Sequence, residues 1–317
     1  MDKVSKLVLS PAPHLRGNVS INRDMYIVTL ALLFPCAGAV YFFGLYILLM
    51  LAVGVLCAVL TEYVAKLMRR QPFHMDGSAI VTGILLVLVM PPRTPLWIIV
   101  IGAVFCIAIA KEAFGGLGHN IFNPALAGRA FVTLSFAGAL TRWIAPVSSL
   151  VADGVTAATP LSEGFIAALA NGVPYKALFL GNVAGSVGET SALLILIGGV
   201  ILLAFGLIKW QVPVFYIGTV SLLSWIMGQD PLFHLLAGGL MLGAFFMATD
   251  YVTSPLTTRG KIIFAVGAGI LVVVIRVLGT MPEGVCYSIL LMNAVTPLID
   301  RYVRPKPYGH MPTTKEA

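Results

Sequence analysis

Apolar residues run along this chain in blocks far longer than a soluble core needs, and short polar, glycine or proline breaks separate them. Stretches approaching the roughly 20 residues that cross a hydrocarbon layer about 30 Å thick recur from Met25 onward. Punctuation by glycine, proline and charge divides the pattern into about ten predicted spans. They cover residues 25–42, 44–66, 77–90, 95–110, 122–139, 182–208, 211–228, 231–249, 260–280 and 283–302. The expected fold is an all-α polytopic membrane protein. Residues 1–24 form a polar N-terminal segment, 25–302 the transmembrane domain and 303–317 a polar C-terminal tail. Within the domain, five spans fill 25–139, a more polar loop takes 140–181, and five further spans fill 182–302.

Four short anchors recur in order across the two sets of five. MDGSAIVTGILL in the third span pairs with VGETSALLILIGG in the sixth, each placing an acid and small residues before an aliphatic run. FNPALAGRAF pairs with TSPLTTRGKIIF, each a polar residue, a proline, small residues and a base. An odd number of spans per copy predicts two inverted five-helix repeats, an arrangement in which broken helices meet near the midplane and build a site.

Composition sharpens this picture. Apolar residues make up 59% of the chain and charged ones 10%, so an ordinary soluble domain is excluded. The net charge of +7 does not point to nucleic acid, because the bases sit at span ends without interleaved aromatics. They read as topology signals instead. With the N-terminus cytoplasmic, the inner segments hold 15 of the 20 bases: Lys3, Lys6, Arg16, Arg23, Lys66, Arg69, Arg70, Lys111, Lys209, Arg259, Lys261, Arg301, Arg304, Lys306 and Lys315. The outer loops hold Arg93, Arg142 and Lys176, while Arg129 and Arg276 fall within spans, so both termini are expected inside. Met1–Asp24 lacks the apolar core and small-residue cleavage site of a signal peptide.

The candidate chemistry is sparse. Cys36, Cys57, Cys106 and Cys286 lie in or beside apolar segments without a CxxC pair, which suits buried small hydrophobes. His74, His119 and His234 are isolated and carry no nucleophile constellation. Asp76, Glu112, Glu189 and Asp250 stand near span ends beside small or hydroxyl residues, where capping or interfacial roles are cheaper than ion ligation. Asn123-Pro124-Ala125 reads as a helix start inside the membrane, with Asn123 capping free amides and Pro124 in the first turn. Such an end either attracts a polar ligand or closes a break packed in protein.

The oddest stretch is DGVTAATPL, residues 153–161, between apolar runs on the side expected to be external. Thr159 followed by Pro160 suits the cap of a following helix, with Glu163 near the partner position of a capping box. Small residues around Thr156 and Thr159 equally leave the hydroxyls open to a modifying enzyme. The physics of the residues leaves both readings standing.

Four segments carry a family resemblance: DGSAIVTGILLVLVMPP at 76–92, GGLGHNIFNPALAGRAF at 115–131, DGVTAATPL at 153–161 and ATDYVTSPLTTRGKIIF at 248–264. With them the chain resembles the NqrB/RnfD family, the D-type membrane subunits of the bacterial Rnf ferredoxin:NAD oxidoreductase complex and their counterparts in the sodium-pumping NADH:quinone oxidoreductase. The resemblance implies a urea-transporter-like fold of two inverted five-helix repeats in the bacterial cytoplasmic (inner) membrane. It implies FMN joined through its phosphate to the hydroxyl of Thr159 by a flavin transferase that recognises D-x-x-[ST]-G-A-[ST]. Asp153, Thr156, Ala158 and Thr159 match that pattern, and Ala157 departs from its glycine. The resemblance further implies electron transfer coupled to Na+ or H+ translocation and a second, non-covalent riboflavin. The partners it implies are the G-type subunit of the Rnf complex above all, and its A-, B-, C- and E-type subunits. Hydride exchange with NAD belongs elsewhere in the complex, and no strand-borne GxGxxG fold is expected here. Two alternatives remain at this point: a quinone-reducing NqrB-type subunit, disfavoured by the short polar segment before the first span, and a colourless small-solute channel.

Overall fold

The computed structural model describes residues 20–141, 143, 161, 175–279 and 284–304. Asp153, Thr156, Ala157, Ala158, Thr159 and Glu163 lie outside the described residues, as do most of the two polar termini. Every regular element among the described residues is a helix. In chain order these are α1 (Ile21–Phe43), α2 (Tyr46–Met68), α3 (Ser78–Leu88), α4 (Leu96–Val104), α5 (Pro124–Ser135), α6 (Ala137–Leu140), α7 (Tyr175–Leu180), α8 (Ala192–Ala204), α9 (Gln211–Ile226), α10 (Pro231–Leu236), α11 (Leu240–Leu242), α12 (Thr258–Leu278) and α13 (Val285–Tyr302).

Among the described residues, four segments are long and apolar enough to cross a membrane: Ile21–Phe43, Tyr46–Met68, Leu96–Phe114 and Thr258–Leu278. Ser78–Leu88, Ala192–Ala204 and Gln211–Ile226 are apolar but shorter. At about 1.5 Å per residue, an 11-residue helix such as α3 covers roughly 16 Å, about half of a bilayer core. Two expected spans are therefore corrected. The span expected over 182–208 is helical only from Ala192 to Ala204, and residues 183–191 before it are irregular yet largely buried. The span expected over 231–249 breaks into α10, α11 and a π-helical turn, because Ala237 is extended and Gly238 has φ +72°.

Irregular backbone at depth needs internal partners for its polar groups. Here the two halves of the chain satisfy each other. Gly188 N donates to Leu88 O at 2.7 Å and Val187 N to Met90 O at 2.9 Å, closing the C-terminal end of α3. Small residues let other helices meet backbone to backbone: a Cβ on Gly83 of α3 would stand 2.9 Å from Gly54 O of α2.

Two π-helical turns and a 3-10 turn at Glu112–Phe114 complete the elements among the described residues. Phe105–Ile109 continues α4 and closes with Ala110 N donating to Phe105 O at 3.0 Å; Gly243–Met247 continues α11 and closes with Ala248 N donating to Gly243 O at 2.7 Å. Each is followed by a polar residue and an acid, Lys111-Glu112 in one case and Thr249-Asp250 in the other. The outward faces of α1 and α2 carry exposed Leu30, Leu33, Leu48, Leu49, Leu56 and Leu60, as expected of surfaces that meet lipid or other membrane helices.

Candidate functional site

Asn123 stands where three elements meet. Its Oδ1 accepts from Ala125 N at 3.1 Å and Leu126 N at 3.3 Å, and Pro124 fills the first helical position of α5. The side-chain Nδ2 donates to Met247 O, the last residue of the second π-turn, at 3.4 Å. The Asn293 amide on α13 fits its surroundings when its nitrogen donates to Ile289 O at 3.2 Å and its oxygen accepts from Asn123 N at 3.0 Å. Asn123 is thus a buried helix cap, as the sequence suggests, and also the tie between both halves.

A cavity of about 100 Å³ opens beside it, lined by Asp24, Ser78, Lys111, Asn120, Asn123, Thr249 and Asp250 together with Phe245 and Phe246. Both π-turns therefore deliver their polar followers, Lys111 and Thr249-Asp250, to one place. Next to it lies a cavity of about 390 Å³ lined by Arg23, Asp24, Lys209, Thr249, Tyr251, Ser254 and Lys261. The larger cavity falls within the roughly 300–1,000 Å³ of small-molecule sites, and the smaller falls below it.

Behind the smaller cavity is a buried charge network. Lys111, 1% exposed, donates to Glu62 Oε1 at 2.8 Å and to Ser78 Oγ at 2.6 Å. Glu62 also pairs with Lys66, one helical turn along α2, at 3.0 Å. Ser78 N and Oγ both donate to Asp76 Oδ1, at 2.9 and 2.5 Å, so Asp76, one residue before the N-cap Gly77, holds the first residue of α3. Arg69 Nη1 donates to Glu112 O and to Glu112 Oε2, both at 3.0 Å.

A second charged group lies at the opposite end of the helices. Arg129 of α5 pairs with Glu189 at 3.4 Å. Arg276 of α12 donates to His234 O at 2.8 Å and Ala237 O at 3.2 Å. Tyr175 donates to Asp230, the N-cap of α10. Leu161, the last residue of DGVTAATPL, packs beside Leu178, Phe233, Leu236 and Ala237 in the same region.

The sequence-based roles divide accordingly. Asp76 accepts from Ser78 in the turn that leads into α3, and Asp250 accepts from Val252 N and Thr253 Oγ1 within a turn. Glu112 and Glu189 are not interfacial caps: they are 3% and 7% exposed and paired with arginines. Glu62 is a key member of the network that the sequence pattern alone did not single out. Its signal was present as Glu62 and Lys66 at i, i+4 within an apolar span, a pairing that a lipid-facing surface would not tolerate. Arg129 and Arg276 carried a similar signal as bases within spans.

Half-length helices, irregular backbone sealed inside the protein and charges buried at both ends define a polytopic helical membrane protein rather than a simple anchor. The chain belongs to the NQR2, RnfD, RnfE family, which matches residues 8–309. It is 46% identical to the D-type subunit of the proton-translocating ferredoxin:NAD(+) oxidoreductase complex of Clostridium ljungdahlii, over 97% of both chains. It is 45% identical to the D-type subunit of the Na(+)-translocating ferredoxin:NAD(+) oxidoreductase complex of Acetobacterium woodii, over 98% of both. The corresponding subunit of the ion-translocating oxidoreductase complex of Stutzerimonas stutzeri is 42% identical over 92% of both.

Proposed function

We propose that this chain is the D-type membrane subunit of an Rnf-like ion-translocating ferredoxin:NAD oxidoreductase complex, carrying FMN covalently on Thr159 and passing electrons through the membrane domain. The relatives named above support the complex, and their names also favour this reading over a quinone-reducing subunit or a solute channel. The observation that carries the flavin is DGVTAATPL itself, in which Asp153, Thr156, Ala158 and Thr159 keep the transferase pattern. Ala157 replaces its glycine, and an alanine accepts the extended backbone that a transferase cleft would bind.

Bound FMN would supply the redox chemistry, and the chain would supply position and electrostatics. Thr159 offers the hydroxyl oxygen for the phosphate ester. Leu161 sits in an apolar seat between α7 and α10. At the other end, the adjoining cavities near Asn120, Asn123, Phe245 and Tyr251 offer aromatic, amide and hydroxyl groups for a non-covalent riboflavin.

The basic end with Arg23, Lys66, Arg69, Lys209 and Lys261 is assigned to the cytoplasm, which puts both termini inside and Thr159 on the extracytoplasmic side of the inner membrane. One π-turn in each half, each delivering a polar residue and an acid, supports the two inverted five-helix repeats. Partners in this reading are the G-type subunit as electron donor, the A-, B-, C- and E-type subunits, and a flavin transferase. Coupling to Na+ and to H+ both fit, since relatives at nearly equal identity are named for each ion.

The test is in-gel flavin fluorescence of the denatured protein produced with a flavin transferase, with mass mapping of the peptide spanning Asp153–Leu161. The wild type is expected to fluoresce and carry one FMN on that peptide, and Thr159→Ala to lose both. A dark wild-type band beside a labelled control substrate would return the stretch to a helix cap.

A further inference from the structure

The larger of the two adjoining cavities carries a charge that its own wall does not balance. Arg23, Lys209 and Lys261 line it against a single acid, Asp24. Among the described residues every ion pair uses Glu62, Glu112 or Glu189, and none of these three bases enters one. Lys209 and Lys261 stand close enough to repel each other. Asp300 of α13, whose charge also reaches Lys261, accepts from Leu256 N at 3.1 Å and lies outside the lining. The smaller cavity shares Asp24, Leu207, Thr249 and Tyr251 with the larger, but the three bases and Ser254 line the larger alone. An uncharged ring system such as riboflavin gives those bases no partner.

Three helices begin at this cavity. Arg23 and Asp24 lie in the first turn of α1, Val212 in the first turn of α9 and Lys261 in the first turn of α12. A helix N-terminus carries partial positive charge, so bases placed there add to it instead of offsetting it. The N-cap of α9 is Trp210, whose side chain makes no capping bond and leaves the first amides of that helix free of it. Ser254 adds a neutral donor. The residue is 4% exposed and lines the cavity, and its hydroxyl makes no hydrogen bond among the described residues. A buried hydroxyl left in that state is costly unless an occupant of the cavity meets it.

We propose that this cavity is a binding site for a phosphate-bearing anion, and that its occupant in the membrane is the headgroup of an anionic phospholipid. The volume of about 390 Å³ is that of a small-molecule site. Arg23, Lys209 and Lys261 supply the charge, and Ser254 with the start of α9 supplies hydrogen-bond donors for phosphate oxygens. The position of the cavity selects the lipid. It opens at the ends of membrane helices, and Ile27, Phe205, Leu207 and Val212 give its wall an apolar side along which an acyl chain can leave. Phe205 and the neighbouring Trp210 are 55% and 56% exposed, as aromatic side chains are at a membrane–water interface. Basic pockets between membrane helices at that level take anionic headgroups. The site does not depend on a flavin at Thr159.

The experiment is native mass spectrometry of the delipidated full chain in detergent, titrated with phosphatidylglycerol or with phosphatidylcholine, whose choline cancels the phosphate charge. Thermal unfolding in inorganic phosphate and in chloride, at one ionic strength, runs beside it. Wild type, Lys209→Gln, Lys261→Gln and Arg301→Gln are compared, Arg301 being a base of α13 that does not line the cavity. Wild type is expected to hold one phosphatidylglycerol in preference to phosphatidylcholine, and each lysine variant to bind it roughly fivefold more weakly. Arg301→Gln is expected to match wild type. A midpoint raised by inorganic phosphate and lost in both lysine variants, without lipid preference, keeps the anion site and assigns it to a soluble phosphate compound. No lipid preference together with an unmoved midpoint overturns the proposal. Equal weakening in Arg301→Gln overturns it too, because the attraction would then belong to the basic end as a whole. Lys209 is exposed, so Lys209→Gln decides the matter even where Lys261→Gln fails to accumulate.

Discussion

Glu62 shows how a single side chain in this protein is held by more than one partner. Its Oε1 accepts from Lys66 at 3.0 Å and from Lys111 at 2.8 Å, and the residue is 2% exposed. The two cations do not depend on it equally. Lys66 lies on the same helix with 15% of its side chain exposed, while Lys111 is 1% exposed and otherwise holds Ser78 Oγ. Removing one partner of a buried pair costs about 3–5 kcal/mol when the other is left uncompensated. Glu62→Leu strands Lys111 and is expected to approach that cost, whereas Lys111→Met leaves Glu62 with Lys66 and is expected to cost distinctly less. Thermal unfolding in detergent measures both, and equal losses would show that Lys66 does not compensate. The acids at span ends were visible in the sequence. Which of them were buried was not, because burial of Glu112 and Glu189 depends on Arg69 and Arg129 arriving from other segments.

At the level of elements, the short helices owe their ends to partners outside themselves. α5 begins deep in the protein because Asn123 satisfies two of its free amides and Pro124 needs no donor. Loss of a side-chain cap costs typically about 1 kcal/mol, with a range of roughly 0.5–2. Asn123→Ala is expected to lower the unfolding midpoint, and Asn123→Ser, which restores a capping oxygen but not the reach to Met247 O, is expected to recover most of the loss. A melt of Asn123→Ala matching wild type would mean that the Asn293 bond to the backbone amide of residue 123 holds the break unaided. This cap was legible in the sequence, since capping is local. The break at Ala237–Gly239 was not, because an apolar run with glycines also suits a continuous membrane helix. What breaks it is tertiary: the Arg276 guanidinium takes the carbonyls of His234 and Ala237 that a continuing helix would have used.

For the whole molecule, the distribution of charge predicts an orientation. Lys209 lines the basic cavity with Arg23 and Lys261, and Lys176 is exposed at the other end beside Leu178 and Leu180. In a background with the half-buried Cys57 replaced, Lys176→Cys is expected to react with a membrane-impermeant maleimide on intact cells. Lys209→Cys is expected to react only after permeabilisation. The reverse pattern would invert the molecule and place Thr159 in the cytoplasm, out of keeping with an extracytoplasmic flavin.

By itself the sequence determined the class of protein, because an apolar fraction of 59% in long blocks admits no soluble fold and the bias of lysine and arginine is a property of the chain alone. It also determined the cap at Asn123 and the pattern Asp153, Thr156, Ala158 and Thr159, since both are read from adjacent residues. Tertiary structure alone decided that α3 and residues 187–188 complete each other, that both π-turns open on one cavity, and that Arg276 meets Leu161 over Gly238. The physical reason is common to all three. In an apolar surround a free backbone group or a lone charge must find a partner inside the protein, and here those partners lie far away along the chain.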